Sequence, residues 1–199
     1  MREGDDQGRR FSAVGDFIDR LEGPERRAAI PRDEIIPRMS LTKLQTLVDL
    51  GAGTGYFSVP IAQKVRRVIS VDLEPRMFSV LSQRILLAGI TNIDMIRGMI
   101  TRIPLADSSV DHVLAAFVYH EVPRPTKMMF EAARVLRPGG IMTLLDFQKK
   151  ETSVGPPVNE RKTPNDVIRS APDEMPLHSM HEADVYYQLE FVKNPGLSP

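Results

Sequence analysis

A chain of 199 residues, 42% apolar and 26% charged, can build one well-buried core but not two. Its 26 basic and 26 acidic residues cancel, which gives no global pull toward nucleic acid or an anionic membrane, and the lack of cysteine excludes disulfides, thiolate metal ligands and thiol nucleophiles. No apolar run nears the roughly 20 residues of a membrane span, and the first residues lack the apolar core of a signal peptide, so the expectation is a cytoplasmic protein without membrane or nucleic-acid partners.

Residues 1–10 are polar and unpatterned and read as a flexible tail. Phe11, Val14, Phe17, Ile18 and Leu21 recur at helical spacing until Gly23-Pro24 breaks the pattern. Two short helices, Glu25 to Ile30 and Arg32 to Met39, each preceded by proline, complete a helical cap over residues 11–43. Such a cap either packs against the main domain, 44–199, or covers a ligand pocket. Residues 46–56, T-L-V-D-L-G-A-G-T-G-Y, read as strand, glycine-rich turn and the start of a helix running to Val65. Val68 to Asp72 is almost continuously apolar, as a strand buried on both faces is, which predicts a parallel sheet. A helix over Pro75 to Ala88 closed by Gly89 follows, then a strand over Ile93 to Ile96. A strand over Asp111 to Tyr119, a helix over Pro125 to Leu136 and a strand over Gly140 to Phe147 complete an alternation that predicts a doubly wound α/β sheet. Beyond it lie a loop over 149–163, a helix opened by Thr163-Pro164 and stopped by Pro172, and a last strand over Val185 to Val192.

Ligands of open α/β sheets sit beyond the carboxyl ends of the strands, and a glycine-rich first turn marks the place. Asp72, about 20 residues past Gly51 and at the end of the second strand, stands where an acid hydrogen-bonds ribose hydroxyls. Glu74 is read as a cap for the helix that begins at Pro75. The dinucleotide spacing Gly-x-Gly-x-x-Gly fails, because its third glycine falls on Tyr56 or Ser58, and no Gly-Lys-Ser/Thr phosphate loop follows. The spacing therefore argues against a dinucleotide and against a Walker-type phosphate site, while Asp72 keeps a ribose as the expected contact.

The series V-D-L-G-A-G-T-G-Y-F-S, V-I-S-V-D, D-H-V-L-A-A-F-V-Y-H-E-V and A-A-R-V-L-R-P-G-G resembles the class I S-adenosylmethionine-dependent methyltransferases, in particular the small-molecule branch that includes ubiquinone and menaquinone biosynthesis enzymes. The resemblance covers residues 44–148, with weaker similarity in P-E-R-R-A-A-I-P-R-D-E-I-I before it and V-G-P-P-V-N-E-R after it. It implies a seven-stranded, mostly parallel Rossmann-like sheet with a reversed last strand. It also implies S-adenosylmethionine as cofactor, S-adenosylhomocysteine as its product, and a small-molecule acceptor over the fourth strand. Carried over, Gly51, Ala52, Gly53 and Gly55 pass close to the methionine part, and Asp49 holds its amino group or orders the turn. Asp72 takes the ribose, Leu73 lies against the adenine, and Phe117 and Val118 border the methionine end. Met99 stands where the family usually has an aspartate for the adenine amine, so adenine contact is expected through stacking and backbone groups.

Transfer from a sulfonium depends mostly on approach and alignment, and a base is needed only when the acceptor carries a proton. His120 is the first catalytic candidate, followed by Tyr119 and Glu121. His178, His181 and Glu182 are not read as metal ligands, and the ten methionines are read as core filling. The alternative is a cofactor-binding protein without catalysis or one that needs a partner subunit. Met99 and the short segment between Val167 and Tyr186 favour it.

Overall fold

The computed structural model describes residue 18 and residues 21–195. The tail expected over residues 1–10 and nearly all of the first amphipathic helix lie outside the described residues.

Helices α1 (Pro24–Ala29) and α2 (Arg32–Arg38) open the described chain, and each begins at or just after a proline. Strand β1 (Thr46–Leu50) is buried along its whole length and leads through the glycine turn into α3 (Ser58–Ala62). Then come β2 (Arg67–Asp72), α4 (Pro75–Leu87), β3 (Ile93–Arg97) and β4 (Val110–Ala116). A single helical turn at Tyr119–Glu121 precedes α5 (Pro125–Val135) and β5 (Leu136–Phe147). The chain closes with α6 (Pro164–Ile168), β6 (Leu177–Glu182) and β7 (Tyr186–Val192).

The seven strands form one sheet in the order β3-β2-β1-β4-β5-β7-β6, with β1 to β5 parallel and β7 antiparallel to β5. The expected mixed α/β sheet with a reversed last strand is therefore present. The strand order reverses beside β1, which pairs with β2 on one side and β4 on the other, and a crevice opens there at the carboxyl ends.

Alternate residues of the central strands feed two cores, and this explains the unbroken apolar runs. Val48, Leu50, Val113, Ala115 and Leu144 pack with Met128, Met129 and Ala132 of α5 on one face. Leu47, Val68, Leu114 and Leu145 pack with Ile35, Ile36 and Ile61 on the other. Helix α2 thus contributes to the second core.

Several boundaries differ from expectation. The helix after the glycine turn is one short element, Ser58–Ala62, because residues 51–57 are used up in turns. Strand β4 stops at Ala116 rather than Tyr119: Phe117 takes φ +57°, a left-handed conformation costly for a bulky residue, and the chain bends out of the sheet. Strand β5 begins directly after α5, and Arg137 to Gly140 form an irregularity between the pairs Val110–Leu136 and His112–Ile141. Strand β6 has no counterpart in the sequence reading. It is an exposed edge, paired only with β7, and carries no alternation of buried and exposed residues.

Candidate active site

The crevice holds a cavity of about 460 Å³ bounded by the glycine turn, the ends of β2 and β4, the loop after β3, and the N-terminal helical segment. Its floor is the turn. Gly51 takes φ +72°, and a β-carbon there would lie 2.7 Å from Val118 Cγ2, so the turn and the bend after β4 close on each other only with glycine. The amides of Gly51 and Ala52 donate to the Val71 carbonyl at 2.8 and 3.1 Å, which ties the turn to β2.

Asp72 fixes the same junction. Its Oδ2 accepts from the Gly53 amide at 2.8 Å and its Oδ1 from the Glu74 amide at 2.9 Å. The carboxylate borders the cavity with its remaining lone pairs available. Glu74 caps α4 as expected, accepting from the Arg76 amide at 3.2 Å and pairing with the Arg76 guanidinium. Leu73, 57% exposed, and Met99, 51% exposed, present apolar surface at this end, with Ile100 beside them.

Asp49 is almost fully buried beneath the turn and accepts from the Ser58 hydroxyl at 2.6 Å. Burial pushes its carboxyl up to about 7, partly offset by the Ser58 hydrogen bond, while the charge of Asp72 adds to the rise. A carboxyl whose value rises on folding favours the folded state most when protonated. Its contribution is complete below the unfolded value near 4 and is lost as pH climbs through 7. Asp49→Asn, which keeps an acceptor for Ser58, is therefore expected to match the wild type at pH 4 and to exceed its stability by roughly 2–4 kcal/mol at pH 8. Thermal unfolding at both pH values checks this. A difference in Tm that does not vary with pH would show that Asp49 is ionised throughout.

Among the expected cofactor residues, Asp49, Gly51, Ala52, Gly53, Asp72, Leu73, Met99 and Phe117 all border the cavity. Gly55 does not. Its φ is +82°, and a β-carbon there would collide with Leu81 of α4, so this glycine lets the turn and α4 pack together.

The two catalytic candidates lie outside the cavity wall. Tyr119 is buried, and its hydroxyl donates to Ser170 Oγ at 2.8 Å, beside a second, basic cavity of about 430 Å³ that Lys149, Lys162 and Arg169 also border. His120 is held by Asp146: the backbone amide donates to Oδ2 at 2.9 Å and ring Nδ1 lies 2.7 Å from Oδ1. Asp146 is fully buried at the end of β5 and also accepts from the Phe147 amide at 2.8 Å. A carboxylate opposite Nδ1 assigns the proton to Nδ1 and leaves the Nε2 lone pair as acceptor. Nε2 lies 3.7 Å from Glu121 Oε1, and Glu121 itself borders the cavity.

The N-terminal wall was not anticipated residue by residue. Leu21, Glu22, Arg26 and Ile30 all border the cavity. Glu22 is pinned by Arg84 at 2.6 Å, by Arg27 at 3.3 Å and by the Thr54 hydroxyl. Tyr56 donates to the Ile30 carbonyl at 2.9 Å while Arg32 stacks on its ring. The helical segment thus both packs against the sheet and walls the site. No sequence signal singled out Glu22 or Arg26. Asp146 had one, since an acid ending an otherwise apolar strand is costly to bury unless it accepts hydrogen bonds.

Among the described residues, no group of three or more His, Asp or Glu is placed to hold a metal ion, and no helix is long and apolar enough to cross a membrane.

Residues 48–144 match a family model described as a methyltransferase domain. The chain is 29% identical over 118 residues to demethylmenaquinone methyltransferase of Geobacillus stearothermophilus, covering 58% of this chain and 50% of that protein. It is 39% identical over 99 residues to an uncharacterized methyltransferase of Mycobacterium tuberculosis, covering 50% of this chain and 38% of that one. The chain therefore spans about half or less of the length of these curated relatives. A crystal structure of an S-adenosylmethionine-dependent methyltransferase from Aquifex aeolicus superposes with a TM-score of 0.82 at 23% identity, covering 89% of this chain and 97% of that one.

Proposed function

We propose that the chain, whose residues 48–144 match a methyltransferase-domain family model, is a class I methyltransferase that transfers a methyl group from S-adenosylmethionine to a small-molecule acceptor. The observation that carries this reading is the cavity at the strand-order reversal, where a glycine turn and the Asp72 carboxylate meet on a floor closed to any side chain at Gly51. Such a floor suits a ligand lying directly on main chain. The residues present fit the cofactor: Asp72 for the ribose hydroxyls, Leu73 and Met99 as apolar cover for the adenine, and Asp49 with the turn for the amino group. When bound, the cofactor supplies an electrophilic methyl on sulfur.

The chain's own part is alignment, exclusion of water and, for an acceptor bearing a proton, its removal. Phe117, held in its left-handed conformation, lies 4.8 Å centroid to centroid from Phe147 and 6.4 Å from Phe57, and this aromatic group forms a dry wall at the β4 end. We place proton removal on Nε2 of His120, which stands behind the cavity wall and receives the acceptor's proton by way of the Glu121 carboxylate at the cavity edge, with Asp146 orienting the ring. Tyr119 supports the turn through Ser170 and takes no part in this step.

Calorimetric titration tests the reading. Both S-adenosylmethionine and S-adenosylhomocysteine are expected to bind with micromolar Kd, and more tightly at pH 8 than at pH 6 as Asp49 loses its proton beside a cationic amino group. Binding of NAD in place of both sulfur nucleosides would sink it.

A further inference from the structure

Arg26 of α1 borders the cavity, and among the described residues its guanidinium makes no hydrogen bond and no ion pair. Its neighbours differ: Arg27 pairs with Glu22, and Arg32 donates to the Tyr56 carbonyl at 3.0 Å. The Arg26 guanidinium carbon stands 5.1 Å from the centroid of Phe147 and 5.6 Å from that of Phe117. Those rings attract the cation but offer no acceptor to its five N–H donors.

The nearby carboxylates are turned to other work. Glu22 is held by Arg84, Arg27 and Thr54, and Asp146 by His120 and the Phe147 amide. Glu121 is 70% exposed, and its contact is with His120. Burial pulls the Arg26 guanidinium down from its usual range, the mark of a cation whose solvation has been removed without full replacement. A partly buried cation on the wall of a ligand cavity, with no hydrogen-bonded acceptor among the described residues, is placed to take an anion.

We propose that Arg26 anchors a carboxylate of a ligand in this cavity, an inference that rests on the methyltransferase reading. Two sources fit that chemistry: the amino-acid carboxylate of the cofactor, or an acid group on an aromatic acceptor packed against Phe117. A planar guanidinium can meet either with two parallel hydrogen bonds.

Titrations of wild type, Arg26→Gln and Arg26→Lys with S-adenosylhomocysteine and with methylthioadenosine, which has the same nucleoside and thioether but no amino acid, separate the cases. If the cofactor is the source, Arg26→Gln weakens S-adenosylhomocysteine about tenfold or more, Arg26→Lys recovers part of the loss, and methylthioadenosine is unaffected. If the acceptor is the source, both nucleosides bind as before. Benzoate then binds the wild type saturated with S-adenosylhomocysteine and fails to bind Arg26→Gln in the same state. Equal losses for both nucleosides would reduce Arg26 to a packing residue, and a glutamine variant that matches the wild type toward all three probes would overturn the proposal. Wild-type protein that bound neither nucleoside would instead mark the failure of the methyltransferase reading, and this inference would fall with it.

Discussion

Asp72→Ala is expected to weaken S-adenosylhomocysteine binding by roughly 1.5–3 kcal/mol, about 10- to 150-fold, the scale of charge-assisted hydrogen bonds lost. The loss has two origins. The carboxylate is the acid at the cavity edge to which the proposed function assigns the ribose hydroxyls, and it also ties the Gly53 amide to the amide of Glu74 across the mouth of the turn. Without it the turn loses its brace, and thermal stability should fall by about 1 kcal/mol, since partly exposed amides can turn to water. Asp72→Asn keeps the shape and one acceptor oxygen and should fall between the two. Calorimetry and thermal unfolding on the same samples read both effects. A lowered Tm with unchanged affinity would mean that Asp72 braces the loop and never meets the ligand.

The second large effect concerns His120 and Asp146. For an acceptor that gives up a proton, His120→Ala should lower kcat by about 10²–10⁴ while leaving S-adenosylhomocysteine affinity within about twofold. Asp146→Asn should do nearly the same by another route. An amide N–H facing Nδ1 favours the tautomer with the proton on Nε2, so the ring would offer a donor where an acceptor is needed. The pH profile distinguishes the roles: a general base must be deprotonated to act, so in His120→Ala the acid limb of kcat/KM against pH should flatten, which loss of a purely structural residue would not cause. Equal losses in turnover and cofactor affinity would assign His120 to holding the bend after β4. An acceptor whose accepting atom bears no proton would leave kcat almost unchanged, and would thereby identify the acceptor's chemistry.

The legible parts of this fold are those where one local rule acts alone. Val68 to Asp72 had to be buried on both faces, because five nearly apolar residues in a row leave no side for water. Thr163 and Asp166 had to open a helix, since their side chains satisfy each other's backbone amides in a reciprocal cap, at 3.2 and 2.9 Å. The misread boundaries are those where tertiary packing overrides such a rule. Apolar Phe117, Val118 and Tyr119 continue the pattern of β4, yet the chain leaves the sheet at Phe117 because its ring is taken up by Phe57, Phe147 and Tyr186. Strand β6 was invisible because an edge strand exposed along its length has no periodicity to show.

The site divides in the same way. By itself the sequence determined that a glycine-rich turn over Gly51 to Gly55 follows the first strand with Asp72 ending the second, and that neither the dinucleotide nor the Walker-type spacing is present, since glycine spacing and the distance to the acid are properties of the chain alone. It gave Gly55 the same standing as Gly51. Only the tertiary structure separated them, by setting Val118 and the cavity against one and Leu81 against the other. Only the structure brought Arg26 over Phe117 and Asp146 under His120, because those pairs are some 91 and 26 residues apart and no local pattern links their ends.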